Sequence, residues 1–176
     1  MRWLGVALLL ATSAAAQIVG QPIGDGCEQE PLPDRLCIDH TLAGTQWIDG
    51  AAVNGIVTVR FARACPTGPV DVRGGLCRWC GDGGGVLETG WVMVGWPQPP
   101  IALPPTMTGM PDCHLYTLPV AYFLGDMNAS AHVWSAPVPP GLQGTVIFQG
   151  LVDLRIWTTQ HWGAYLLTSP GLAMRF

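Results

Sequence analysis

The chain contains no lysine: its eight basic residues are all arginine, set against twelve acids. Charge is scarce altogether, at 11% of residues, where a typical soluble domain carries roughly 25%. Without Arg2, which lies in the leader described below, the net charge falls to roughly −5. An acidic chain without basic clusters lacks the electrostatic footprint that binding a polyanion requires, which excludes nucleic acid as a partner class. Also missing is any apolar run of about 20 residues, so no membrane span is expected once the leader is removed. Outside that leader, no window carries an apolar stripe of period 3.6 with a cap and a stop, which argues against a helical body. The hydrolase signatures Gly-x-Ser-x-Gly and His-Glu-x-x-His are both missing.

What is present begins with an export signal. Arg2 gives a positive start, Trp3 to Leu10 an apolar run, and Ala14-Ala15-Ala16 before Gln17 a small-residue cleavage site. That order fits a secretory signal peptide over residues 1–16, and the mature protein is expected to be secreted, at the cell surface or in a periplasm. Two further segments are expected, a disulfide-stapled N-terminal segment over 17–44 and a β-sandwich domain over 45–176. About 160 residues bury enough surface for one core.

Glycine (23) and proline (16) are abundant, and 49% of residues are apolar. Many turn formers with little charge suit a β-rich extracellular domain, since exposed helix faces are normally filled with Glu, Lys and Arg. Six cysteines follow the leader: Cys27, Cys37, Cys65, Cys77, Cys80 and Cys113. An even number in an exported chain implies up to three disulfides, with fifteen connectivities open. Cys27 with Cys37 is the favoured pairing, because it would staple the Pro- and Gly-rich segment from Gln21 to Asp39. Two bridges among the other four would tie down the loop from Gly68 to Gly85. Cys77-Arg78-Trp79-Cys80 has redox or zinc spacing, but no helix follows it to lower a thiol pKa, no second such pair completes a metal site, and the expected compartment is oxidising. Structural disulfides are therefore expected, with no metal and no cofactor.

From Thr45 the chain reads as strands separated by turns. Thr45–Val53 and Ile56–Ala62 flank Asn54-Gly55, a pair suited to a type I′ hairpin. Val57, Val59 and Phe61 alternate with Thr58 and Arg60, the period of a half-buried strand. Val86–Trp96 is expected to stop at Pro97, Pro99 and Pro100. Strands follow at His114–Thr117, Val120–Leu124, Ser130–Ala136, Thr145–Trp157, Ala164–Thr168 and Leu172–Phe176, punctuated by Gly125-Asp126, Pro139-Pro140-Gly141 and Ser169-Pro170-Gly171. A short helical turn fits Thr158–Trp162. The class is all-β: a two-layer antiparallel β-sandwich of jelly-roll or Ig-like type, cross-linked by disulfides. Thr145–Trp157 is apolar on both faces and reads as a central strand, with Gln149 and Asp153 satisfying backbone groups of neighbouring turns.

Several spaced segments resemble one group of proteins. They are Trp91-Val92-Met93-Val94-Gly95, Met110-Pro111-Asp112-Cys113-His114-Leu115-Tyr116, the run from Pro137 to Asp153, and Ser169-Pro170-Gly171-Leu172. In this order, over about residues 90–176, the chain resembles secreted, functionally unassigned β-rich proteins of planctomycetes and similar bacteria. The resemblance implies an extracellular β-sandwich, a Ser-x-Gly hairpin into the last strand, and no particular reaction.

Seven tryptophans follow the leader. Flat aromatic faces stack on sugar rings, so a polysaccharide or cell-surface glycan is the first partner proposed, with core packing as the rival use of the same residues. The candidate ligand-binding residues are Trp79 in the cysteine loop, Trp162 in the Gln160-His161-Trp162 turn, and Trp134; Trp91, opening an apolar strand, reads as core. A structural or adhesion component without a small ligand is the second function, and a secreted hydrolase the alternative from another class. For the hydrolase, His40, His114, His132 and His161 and nine Asp supply groups, but no pair is placed for catalysis. Asp82, with Asp25 and Asp126, lacks the dense Asp-x-Asp loop that calcium needs. Asn128-Ala129-Ser130 fits a glycosylation sequon and reads as a turn.

Overall fold

A computed structural model describes residues 17–27, 47–62, 85–108, 113–127, 131–157 and 162–176. The leader, Cys37, Cys65, Cys77, Cys80, Trp79 and the expected helical turn at 158–161 lie outside the described residues. Ten strands are described: β1 (Ile18–Val19), β2 (Gln21–Ile23), β3 (Ile48–Val53), β4 (Ile56–Ala62), β5 (Gly85–Ala102), β6 (His114–Leu124), β7 (Asp126–Met127), β8 (Ala131–Pro137), β9 (Thr145–Trp157) and β10 (Trp162–Arg175). One helical turn, α1 (Pro105–Thr108), follows β5. The strands form two antiparallel sheets in the orders β1-β3-β4-β8-β7 (sheet A) and β2-β10-β9-β5-β6 (sheet B), packed face to face. The protein is all-β with two packed layers, as the alternation and turn spacing predict.

Asn54 (φ 52°) and Gly55 (φ 75°) both adopt left-handed values, which is the type I′ requirement, so β3 and β4 pair in register from Ile48↔Phe61 to Val53↔Ile56. The period of two then divides the residues of sheet A. Ile48, Ala52, Val57, Val59 and Phe61 face the core, while Asp49 and Arg60, directly opposite one another, form an exposed bidentate ion pair at 2.8 Å. The β9 strand lies between β10 and β5, the central position that its apolar faces predict. Val146, Phe148 and Val152 look inward, and Ile147 and Gln149 on its other face are also buried.

Prolines end fewer strands than expected. Pairing of β5 with β9 stops at Gly95↔Ile147, and from there β5 is held by β6 alone. Pro97, Pro99 and Pro100 thus sit in a ribbon with a ladder on one side only, at a register shift, where a missing N–H costs little. Pro119 lies beside a second shift within β6. Pro170 lies in a bulge of β10, so Ser169-Pro170-Gly171 interrupts the register of one continuous strand and is not a hairpin. At that bulge the Ser169 hydroxyl accepts from the Gly150 N–H at 2.8 Å and donates to the Pro170 carbonyl at 2.7 Å, replacing the ladder bond that the extra residues displace.

The disulfide differs from the favoured pairing. Cys27 is bonded to Cys113, 86 positions away, and not to Cys37. Strand β2 pairs with β10 at Ile23↔Gly171, and the chain beyond it runs along β10, where the Cys27 N–H donates to the Thr168 carbonyl and the Thr168 N–H to Cys27 Sγ. The start of β6 arrives at the same place, since the Tyr116 N–H donates to Gln149 Oε1. Nearness along the chain is overridden by pairing between strands. The described part of 17–44 accordingly belongs to the sandwich, giving β1 to sheet A and β2 to sheet B.

A candidate apolar cleft between the sheets

Two parts of the space between the sheets are built from rings, and they are filled differently. Phe61 on β4 and His132 on β8 are opposite one another in register and stack with centroids 5.1 Å apart, both fully buried. Facing them, sheet B presents Gly150 and Gly90. A Cβ on Gly150 would overlap the Phe61 ring, and one on Gly90 would overlap the His132 ring. These two glycines let rings of one layer lie against backbone of the other, so that part of the interior is closed.

Further along the same strands the rings lean on one another instead. Trp134 on β8 stacks on Phe123 of β6 at 4.8 Å and meets Phe148 of β9 at 6.0 Å in a tilted arrangement. Beside them lies a cleft of about 230 Å³, lined by Val57 and Ala136 of sheet A, Val94 and Val146 of sheet B, and by Trp96 and Phe176. Its rim is fixed by the chain between β8 and β9. There the Leu142 N–H donates to the Pro139 carbonyl at 3.2 Å, with Pro140 and a left-handed Gly141 (φ 75°) between them, a type II turn that the Pro-Pro-Gly spacing predicts. The Val138 N–H reaches the Gly55 carbonyl, and Gly144 exchanges both of its backbone hydrogen bonds with Phe176, so the loop is tied to the β3–β4 turn and to the last residue.

The cleft is lined by almost nothing polar, and no ionisable side chain is among its lining residues. It can exclude water and hold an apolar group, and its lining offers no general acid, base or nucleophile. Walls of this kind give ordered water no hydrogen-bonding partners. A second, shallow depression on the outer face of β3 and β4 is lined by Asp49, Thr58 and Arg60. The Arg60 guanidinium there is held above its ordinary range by its hydrogen bonds and charge contact with Asp49. Such an exposed pair contributes little to stability.

Of the candidate ligand-binding tryptophans, only Trp134 is placed at this cleft, half-buried and stacked. Trp79 and the side chain of Trp162 lie outside what is described. Trp91 is not a core residue as expected: it is on the outer face of β5, 36% exposed, opposite Leu124 of β6. Trp96, at the cleft lip and 50% exposed, was not singled out by its sequence context; the prolines that follow it are the signal that it leaves the core. Gln149 has the structural role expected of it. Fully buried, it accepts from the Tyr116 N–H and donates to the carbonyls of His114 (2.7 Å) and Ser169 (2.8 Å), joining three strands of sheet B. Asp153 pairs with Arg155 on the exposed surface. Among the described residues no group of three or more His, Cys, Asp or Glu is placed to hold a metal ion. No protein-family model, no curated protein and no solved structure matches this chain.

Proposed function

We propose that the chain is an exported, non-enzymatic Ig-like sandwich that binds the apolar end of an extracellular molecule in the cleft between β8, β6 and the β8–β9 loop. The observation that carries this reading is a preformed void of about 230 Å³ walled by Trp134, Phe123, Phe148 and Phe176, with next to no polar lining. Its size lies between the roughly 150 Å³ cavities that take a benzene ring and the ~300 Å³ at which sites for drug-sized ligands begin, so it suits one ring or a short acyl tail. The Ig-like assignment is supported by strand order. β3-β4-β8-β7 and β10-β9-β5-β6 reproduce the A-B-E-D and G-F-C-C′ sheets, with β1 and β2 added at the edges. Export is supported by the Cys27–Cys113 bridge, since disulfides persist in oxidising compartments, and by the leader pattern of residues 1–16. The resemblance to secreted β-rich bacterial proteins agrees with both.

Glycan binding is the second reading, and the exposure of Trp91 and Trp96 favours it. A sugar needs hydrogen-bonding groups as well as a ring to stack on, so the cleft itself is a poor glycan site, and a polysaccharide would lie on the outer surface. One experiment separates the readings: naphthalene is titrated into the protein and followed by chemical shifts, while retention on insoluble polysaccharide is measured in parallel. The cleft reading expects naphthalene to shift the Trp134 indole signal and Ala136→Leu, which fills the cleft, to abolish the effect. Retention on polysaccharide that is lost in Trp91→Ala, Trp96→Ala, Trp79→Ala or Trp162→Ala, with no naphthalene response, would reverse the order of the two.

A further inference from the structure

Among the described residues the two sheets have four edges, and three of them end in strands of two or three residues: β1, β7 and β2. The fourth is β6, eleven residues long, with no strand on its outer side. Very short edge strands and charged side chains are two ways in which proteins prevent sheets from joining edge to edge. β6 has neither, for it contains no Arg, Asp or Glu. Pro119 and the register shift beside it interrupt the ladder at one point, and beyond them Ala121–Leu124 runs regularly against Trp91–Val94.

The strand is also apolar and wet. Leu118, Val120, Tyr122 and Leu124 are between 55% and 66% exposed, and Trp91 and Trp96 of the neighbouring β5 are exposed beside Leu124 and Leu118. Tyr122, Leu124 and Trp91 thus form an apolar strip on the outer face of sheet B, while Val120 and Trp96 border the cleft on its other side. The outer face of sheet A, with its Asp49–Arg60 pair and the Thr58–Ser135 hydrogen bond, shows what a face built for water looks like in this protein.

The charge pattern selects the occupant. From Thr89 to Leu124 the only charged residue is Asp112, in a chain whose net charge is −4. Acidic copies repel one another least where neither brings charge, whereas recognition of a different protein normally relies on complementary charges that this strip lacks. A two-fold contact requires only that the strip match itself. We propose that two copies of the chain associate about a two-fold axis along β6, with Ala121–Leu124 of each copy side by side and antiparallel, so that sheet B continues from one copy into the next and covers Tyr122 and Leu124. This proposal does not depend on what the cleft binds, because neither Tyr122 nor Leu124 lines the cleft.

Sedimentation of the disulfide-intact chain over a concentration series tests it. The expected result is a monomer–dimer equilibrium, weakened about thirtyfold or more by Tyr122→Glu or Leu124→Lys, the scale of losing a hot-spot residue. Amide hydrogen exchange of Ala121–Leu124 should slow as the protein concentration rises, while the naphthalene response of the cleft stays the same in both variants. A wild-type chain that remains monomeric at its highest soluble concentration would overturn the proposal and leave the edge to a different partner. A dimer that neither substitution weakens, and in which the β6 amides exchange alike at all concentrations, would overturn it equally.

Discussion

The interior of this sandwich holds the same kind of side chain in two neighbouring places with opposite results. Around Gly90 and Gly150, rings from sheet A meet bare backbone from sheet B, and Phe61 and His132 have no exposure. Two ladder positions away, Trp134, Phe123 and Phe148 meet side chains of Val94 and Val146, and a cleft of about 230 Å³ remains. Aromatic content does not decide between a closed core and an open one. What decides is whether the facing strand supplies glycine, which lets a ring settle, or a branched side chain, which props the layers apart. The closed part is reinforced from outside as well, because Gln149, Ser169 and the Cys27–Cys113 bridge all lie on the outer side of the same stretch of β9 and β10. Among the described residues no disulfide backs the cleft in this way.

The comparison can be broken first at its reinforced side. Replacing both Cys27 and Cys113 by Ser opens a covalent loop closed across 86 positions and is expected to cost about 4.6 kcal/mol, the entropic value for a loop of this length. Urea unfolding of the double variant against the parent measures it, and the naphthalene response of the folded fraction should survive, since neither cysteine lines the cleft. Next comes Gly150→Ala. Its added methyl has no space beside Phe61, so the layers must part or the ring must leave its rotamer, at about 3 kcal/mol. Combining it with Phe61→Leu should recover part of that loss, a coupling read from the double-mutant cycle. An additive pair would mean that the ring and the glycine are not in contact.

These differences explain which features could be read in the sequence. Local rules were legible. Asn54-Gly55, Pro140-Gly141 and the alternation of Val57, Val59 and Phe61 are fixed by dihedral angles and a period of two, and the two-sided apolarity of β9 reported its central place. Features that depend on distant partners were not. The Cys27–Cys113 bridge arises from β2 and β6 meeting on β10, so spacing pointed wrongly to Cys37. Prolines that normally end strands were absorbed by a one-sided ribbon and by bulges. Trp91 is exposed where its apolar strand suggested a core place, because a strand shows which residues share a face but not which face is covered. A void has no residue of its own, and the cleft could be found only from the way six segments fail to fill one space.

On the open side, the sharpest change is Ala136→Leu. The longer side chain extends into the cleft and buries further carbons at up to ~0.8 kcal/mol each, offset by some strain, for a net gain of about 1 kcal/mol in stability. Gain of stability with loss of naphthalene binding is the expected combination, seen by thermal unfolding and titration on one sample. The opposite pair, lost stability with binding intact, would show that Ala136 packs against a closed wall and that the two parts of the interior do not differ as described.

The smallest effect comes from Tyr165 on β10, a half-buried residue packed against the core cluster. Burial raises its hydroxyl above the ordinary tyrosine value of 10.0, because the phenolate would lose solvation. The unfolded chain therefore gives up this proton at a lower pH than the folded protein does. Below the unfolded value both states keep the proton and stability does not depend on this group. As pH rises through 10 towards the folded value the unfolded state is favoured, so stability falls there and nowhere lower. Urea midpoints measured at steps from pH 8 to about 11 should fall over the last of these steps, and less so in Tyr165→Phe. A complete absence of that alkaline fall would put the Tyr165 hydroxyl in water.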